Sequence, residues 1–333
     1  MSKLLISLSG LRGIIGETLD PTIAARYAAA FTSQLSGDGP IVLTRDGRAT
    51  GRMMADAIRA ALCACGRDVI YADVAATPTT GRLVRQHQAA GGIQISASHN
   101  PPPYNGMKLF GSDGRVVPGE FGEKVLKAYE DSELPWQPHE FVGSVTELEE
   151  TTDDHLRAVQ NNVQLERIQA SSFRVLLDSN HGAGSVLGRP LLESLGCDVV
   201  MLGGTPDGEF IHTPEPTAAN LKDVCNDVVA SKAAVGFCQD PDADRLALID
   251  EKGRYVGEEY TLAVCLQHIL KTRKGAVVTN CSTSRMSEDI ANEAGVPFFR
   301  SKVGEANVSD VMMANDAVSV SYTHLTLPTI CSV

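Results

Sequence analysis

Short apolar runs alternate with amphipathic stretches along the first part of the chain. Residues 41–44, 68–71 and 93–97 read as strands, while residues 53–65 and 81–88 carry helical periodicity. Alternation of this kind predicts an α/β fold, with a mixed or parallel sheet and crossover helices. The run Ile93-Gln94-Ile95-Ser96-Ala97 is short and follows two glycines, as a strand covered on both faces would. Pro101-Pro102-Pro103 forbids a helix directly afterwards. Ser98 is therefore expected on a stiff loop at a strand's C-terminal end, where open α/β sheets hold their ligands.

Residues 131–152 turn acidic and contain Pro135 and Pro138, after which residues 153–169 read as one amphipathic connecting helix. We place a first domain at residues 1–140 and a linker with its connecting helix at 141–172. A second α/β unit, 173–254, opens with a strand at 173–178. It turns through Asn180-His181-Gly182-Ala183-Gly184 and continues in strands at 199–202 and 234–237. A third unit, 255–318, has a helix at 258–271, a strand at 276–279 and a helix at 287–294, and reads as incomplete. Residues 319–333 are rich in Ser and Thr, contain no Asp, Glu, Lys or Arg, and show no sustained period. They read as foreign sequence joined to a truncated gene, the alternative being a natural β-like tail.

Composition narrows the function classes. The 333 residues, 43% of them hydrophobic, can bury a sizeable core spread over two or three domains. A net charge of −12 argues against nucleic acid or an anionic membrane as partner, so any anionic substrate must meet a local cluster of cations. The eight cysteines are scattered, and Cys63 and Cys65 fit neither a redox pair nor the usual zinc spacing. Free thiols in a reducing compartment are expected. The apolar start is too short for a signal peptide and no run of apolar residues is long enough to span a membrane, so a cytoplasmic location is expected. Nothing in the pattern speaks to oligomeric state.

The clearest candidate chemistry lies at Gln239-Asp240-Pro241-Asp242-Ala243-Asp244-Arg245, between two apolar strands. Carboxylates at alternate positions beside a proline of fixed φ repel one another unless a cation sits among them. Hard oxygen ligands of this kind suit Mg²⁺, which commonly works with phosphate oxygens. A solvated acidic turn is the plain alternative. Gly182-Ala183-Gly184 invites a dinucleotide reading, but Gly188 falls one position late for it, and a tight strand-to-helix turn is expected instead. Asp46-Gly47-Arg48 reads as another structural turn, with an arginine within reach of a cleft.

Taken together these motifs resemble the α-D-phosphohexomutases, the family of phosphoglucomutases, phosphomannomutases and phosphoglucosamine mutases. The family's serine loop is matched by Ser96-Ala97-Ser98-His99-Asn100-Pro101, and its metal loop by Asp240 to Arg245 with Pro241 and Ala243 in place of glycines. Ser9-Gly10-Leu11-Arg12-Gly13, Pro214-Glu215-Pro216 and Ser301-Lys302-Val303-Gly304 match further segments, so that the likeness covers about residues 1–318.

The resemblance implies consecutive three-layer α/β/α domains with mixed sheets, the third incomplete and the fourth absent. It implies Ser98 as phosphoryl carrier, Lys108 as general acid/base and Arg12 beside them. Asp240, Asp242 and Asp244, with the phosphoserine of Ser98, would hold Mg²⁺. Arg245, Lys302 and His99 fall to substrate binding, and His99 is expected to shape the loop rather than serve Ser98 as base, because sequence neighbours rarely point at one another. Lys108 would be helped if cationic neighbours lowered its pKa. The implied partners are a hexose phosphate and its bisphosphate, with glucosamine phosphate favoured over mannose and glucose phosphates. The family's sugar-recognition loop is not found after Val318, so this chain by itself is expected to be inactive. Two further readings stand beside this one: a haloacid-dehalogenase-like phosphatase with Asp240 as nucleophile, and a non-catalytic sugar-phosphate-binding fragment.

Overall fold

The computed structural model describes residues 5–7, 10–132 and 134–321. The first domain runs β1 (Leu5–Ser7), β2 (Gly10–Ile14), α1 (Pro21–Ser33), β3 (Ile41–Arg45), α2 (Gly51–Ala64), β4 (Val69–Val74) and α3 (Thr77–Gln86). It continues through β5 (Gly91–Ile95), β6 (Tyr104–Gly111), α4 (Gly119–Asp131) and β7 (Val145–Glu147). The strands form one mixed sheet ordered β1-β2-β6-β5-β3-β4-β7, in which β5, β3, β4 and β7 run parallel and β6 runs against β5. Every residue of β5 is buried, and its one polar side chain, Gln94, is satisfied by the Thr77 hydroxyl (2.7 Å) and the Ala75 carbonyl (2.9 Å). Asp20 caps α1 by accepting the Ile23 N–H, and Pro21 occupies the first turn, where its missing N–H costs nothing. The alanine run at 28–30 of α1 is fully buried against the core that holds Tyr27, Phe31, Met54 and Ile58.

The connecting segment is two helices, α5 (Asp153–Gln160) and α6 (Leu165–Ser171), where the sequence predicted one. Asn161-Asn162 ends the first of them, and Asn162 donates its side-chain amide to the Ala158 carbonyl (2.8 Å), drawing a helix-end acceptor out of the ladder.

The second domain contains β8 (Arg174–Asp178), α7 (Gly184–Ser194), β9 (Asp198–Leu202), α8 (Lys222–Ala230), β10 (Val235–Gln239) and β11 (Leu246–Asp250), with sheet order β11-β10-β8-β9. Only the β10–β11 pair is antiparallel, so β10 and β11 form a strand-loop-strand unit around the aspartates.

In the third domain, α9 (Glu258–Thr272), β12 (Val277–Asn280), α10 (Met286–Ala294), β13 (Phe298–Ser301), α11 (Glu305–Ala314) and β14 (Ser319–Ser321) build a parallel sheet ordered β13-β12-β14. The first residues of the segment read as foreign, 319–321, are thus a strand paired to β12; residues 322–333, and Ser9 of the early arginine motif, lie outside the described residues. Among the described residues no helix is long and apolar enough to cross a membrane.

Candidate active site

Ser98 and Asp240 each follow a strand end, β5 in the first domain and β10 in the second, and the two ends face one another. The Ser98 hydroxyl donates to Asp240 Oδ2 at 2.9 Å, and Ser98 is 2% exposed. Its backbone sits at φ +49, in the left-handed region that non-glycine residues avoid. The loop holds it there: the Ser98 N–H donates to Ser96 Oγ (2.8 Å), and Ser96 Oγ donates to Asp46 Oδ2 (2.7 Å).

His99 does point at its neighbour, contrary to the expectation from sequence adjacency, with Nδ1 3.2 Å from Ser98 Oγ. The left-handed turn at Ser98 is the physical reason, because it folds the two side chains onto the same side. Burial, aided by the charges of Arg245 and Arg12, lowers the His99 pKa to about 4, so the ring is neutral near pH 7.

Asp240, Asp242 and Asp244 offer oxygens that all lie within 4.8 Å of one another. Burial and the adjacent Asp242 and Asp244 carboxylates push Asp240 well above the ordinary carboxylate range. Burial would raise Asp242 too, but Lys108 outweighs it and holds Asp242 below that range. Lys108, on β6 opposite Gln94, bridges Asp242 Oδ2 (3.0 Å) and Asp244 Oδ2 (2.8 Å). Its surroundings are anionic rather than cationic: burial lowers the pKa of the ammonium, but Asp242, Asp244 and Glu305 outweigh it and raise that pKa above the usual lysine range. The condition under which a lowered pKa would help Lys108, cationic neighbours, is not met here.

The donor set fits a hard divalent cation. Asp242 Oδ1 and Asp244 Oδ1 are buried without a hydrogen-bond partner, an arrangement that is costly unless something positive completes it. Two glycines permit the loop to sit where it does. A Cβ on Gly182 would lie 2.6 Å from the Pro241 backbone, and one on Gly184 would lie 2.9 Å from the Ala243 Cβ. The Ala183 N–H donates to the Pro241 carbonyl between them (2.7 Å). The glycine turn is therefore a seat for the aspartate loop. Ala243, standing where the family pattern has glycine, takes φ +55.

Cations surround this centre unevenly. Arg245 donates its backbone N–H to Asp240 Oδ1 (3.0 Å) and lies 3.7 Å from Glu215 of the Pro-Glu-Pro segment. Arg12 donates from Nη1 to Asn100 Oδ1 (3.1 Å). Lys302 is exposed on the loop between β13 and α11. Arg48 does not project into the cleft, because it is buried beneath the Ser98 loop and hydrogen-bonded to its carbonyls.

Three further participants carried no site role in the sequence reading. Thr77 donates its backbone N–H to the Asp242 carbonyl (2.9 Å) and places its hydroxyl 2.9 Å from Asp242 Oδ2. Asp46 receives the Ser96 hydroxyl, and Glu305 at the start of α11 interacts electrostatically with Lys108. Burial, with Asp244 and Asp242 adding to it against Lys108, raises the pKa of Glu305 to about 7. The Thr77-Pro78 helix start was the available signal for the first, and the Asp46-Gly47-Arg48 turn marked the second only as structural; nothing local marked Glu305.

Family models for phosphoglucomutase/phosphomannomutase α/β/α domains I, II and III match residues 4–135, 153–253 and 257–321. A "Phosphoglucomutase/phosphomannomutase" of Thermococcus kodakarensis is 34% identical over 92% of this chain and 68% of its own length. A "Probable phosphoglucosamine mutase" of Methanopyrus kandleri is 34% identical over 90% of this chain and 66% of its own length. The crystal structure of a phosphoglucomutase/phosphomannomutase family protein from Burkholderia thailandensis superposes with a TM-score of 0.84, at 25% identity, over 96% of this chain and 72% of that one. The chain thus spans about two thirds of the length of its relatives, and with its three matched domains it belongs to the α-D-phosphohexomutase family, a family of isomerases.

Proposed function

We propose that this chain carries the phosphoryl-transfer centre of a phosphohexomutase that interconverts hexose 6-phosphate and hexose 1-phosphate, with Ser98 as the phosphoryl carrier. The observation that carries the reading is the 2.9 Å approach of a buried serine hydroxyl to a carboxylate cluster that has unsatisfied oxygens. Family membership replaces the haloacid-dehalogenase-like alternative, and leaves the non-catalytic fragment for experiment.

In this reading Asp240, Asp242 and Asp244 hold Mg²⁺ together with a phosphoserine oxygen. When bound, the cation supplies positive charge to the transferring group's oxygens. The sugar hydroxyl attacks phosphorus; the new sugar O–P bond forms as the Ser98 Oγ–P bond breaks, and the hydroxyl proton ends on Ser98 Oγ. In this reading Lys108 relays that proton as general acid/base. The bisphosphate then turns over, and its other phosphate returns to Ser98 by the reverse step. Arg12 and Arg245 present planar forks suited to phosphate, His99 orients the Ser98 hydroxyl through Nδ1, and Lys302 approaches the sugar phosphate from the third domain. Among hexose phosphates we favour glucosamine phosphate, since relatives such as that of Methanopyrus kandleri bear that name.

The test is incubation with Mg²⁺, a trace of hexose bisphosphate and, separately, glucosamine 6-phosphate, mannose 1-phosphate or glucose 1-phosphate, followed by ³¹P NMR and phosphopeptide mapping. Label on Ser98 supports the reading, and label on Asp240 but not Ser98 overturns it. Turnover would overturn the narrower expectation that the chain alone is inactive. Bisphosphate binding without label or turnover would favour the non-catalytic fragment.

A further inference from the structure

The Asp46-Gly47-Arg48 turn delivers an arginine whose donors are all engaged. Nε donates to Asp46 Oδ2 (3.0 Å). Nη1 donates to the carbonyls of Pro101 and Tyr104 (2.9 Å each), and Nη2 to those of Ser98 (2.7 Å) and Asn100 (2.5 Å). A guanidinium has five N–H groups, so none remains for a ligand. What remains is its flat face, and that face is covered from the second domain: the Phe210 ring lies over it, 5.2 Å from Arg48 Cζ to the ring centroid.

The backbones meet at the same place. A Cβ on Gly208 would lie 2.7 Å from Arg48 Cα, and one on Gly47 would lie 2.2 Å from the His181 carbonyl oxygen. The segment that presents Phe210 is itself pinned to the second domain. Fully buried Asn180 accepts the Ile211 N–H at Oδ1 (2.9 Å) and donates to the His212 carbonyl (3.1 Å). His212 Nε2 sits 2.7 Å from Asp178 Oδ2. Three residues on, Glu215 faces Arg245, the neighbour of Asp244.

We infer that Phe210 is a positioning residue for phosphoryl transfer. By stacking on Arg48 it fixes the Ser98 loop of the first domain against the aspartate loop of the second, and so sets the separation of Ser98 Oγ from Asp240. The inference rests on the reading of Ser98 as phosphoryl carrier. Ser98 is held in a strained backbone conformation, which persists only while its surroundings over-determine it, and Arg48 grips the carbonyl of that residue. Removing the ring hydrates the guanidinium face and frees the loop. A misplacement near 1 Å at reacting atoms costs about 100-fold in rate.

The experiment uses the full 333-residue chain with Mg²⁺ and glucose 1,6-bisphosphate, following phosphorylation of Ser98 by mass spectrometry. In that reaction Ser98 Oγ displaces a sugar oxygen from phosphorus, and the serine proton leaves on the departing oxygen. Phe210→Leu is expected to slow labelling by about 10- to 100-fold, with Phe210→Tyr within about threefold of the parent, as misplacement of a reacting atom predicts. Mg²⁺ affinity, measured by calorimetry, should be the same in all three, because the aspartates are untouched. Equal labelling rates in the parent and Phe210→Leu would sink the inference alone. So would equal slowing in Leu and Tyr variants, or a parallel loss of Mg²⁺ affinity, either of which marks a general packing defect. No label on Ser98 in the parent overturns the underlying reading and the inference with it. Should Phe210→Leu not fold, Phe210→Met, which keeps bulk but loses the ring, takes its place with the same expected outcomes.

Discussion

Ser98 Oγ donates a 2.9 Å hydrogen bond to Oδ2 of Asp240, a residue 142 positions away in another domain. The bond joins two strand ends whose loops are also held by other hydrogen bonds, so the hydroxyl is not the sole tie of either loop. Ser98→Ala is therefore expected to abolish phosphoserine formation while lowering unfolding free energy by about 1–3 kcal/mol, the cost of leaving the buried Asp240 oxygen without its donor. Phosphopeptide mapping and a denaturant melt check the two halves. A large loss of stability would show that Ser98 is structural.

Because oxygens of Asp242 and Asp244 are unsatisfied, the proposed binding of Mg²⁺ there is expected to register as a gain in stability. Mg²⁺ at 100 times its dissociation constant is expected to add about 2.7 kcal/mol to unfolding free energy by mass action. Asp242→Asn should remove most of that increment. Melts with and without Mg²⁺, on both proteins, decide it; equal Mg²⁺ responses would place the cation elsewhere.

Gly184 tests the seat of the aspartate loop. A Cβ there would meet the Gln239 side chain at 2.1 Å and the Ala243 Cβ at 2.9 Å, and something must move. Gly184→Ala is expected to destabilise by about 1–3 kcal/mol, as overpacking does. It should also weaken Mg²⁺ binding, measured by calorimetry. Unchanged affinity would separate the glycine turn from the metal loop.

Two histidines give stability a pH dependence of opposite sign. For His155, burial and the charge of Arg82 lower the pKa from 6.5 to about 4, so the unfolded chain takes up its proton first. Its native environment is fully favourable above about pH 6.5, and stability falls as pH drops from there towards 4. For His212, burial lowers the pKa but the Asp178 carboxylate outweighs it and raises the value above 6.5. That contribution is complete below pH 6.5 and is lost as pH climbs through the raised value. Melts across pH 4–9 should show His155→Gln flattening the acidic limb and His212→Gln the alkaline limb. The same pH profile in both variants would contradict the assignment.

What was readable beforehand was local. Ile93 to Pro101 could be placed at a strand end because glycines, proline and apolar spacing all act within a few residues, and the aspartates drew attention because their repulsion is built into adjacent positions. The connecting segment is two helices and not one because Asn162 draws the Ala158 carbonyl into a side-chain bond that competes with the ladder, which periodicity does not register. The approach of His99 to Ser98 was hidden by the left-handed turn at Ser98, since adjacency implies divergence only for an ordinary backbone.

Arg48, Thr77 and Glu305 were obscure for another reason. Each acts on residues far along the chain: Arg48 on the Ser98 loop, Thr77 on Asp242, and Glu305 on Lys108. Their side chains are ordinary in type: Thr77 and Glu305 gain their partners only where separate domains meet, and Arg48 only through the folding of the first domain's sheet around the Ser98 loop.

The sequence by itself determined the α/β domains, the serine loop and the acidic loop, because hydrophobic period, proline stiffness and charge repulsion are properties of short stretches. Only the tertiary structure decided that the two loops face one another across a domain boundary and that Lys108 lies between two carboxylates. It alone put a phenylalanine over the arginine beneath the Ser98 loop. Burial and charge proximity belong to the packed molecule, and they set the protonation and the separation of these groups.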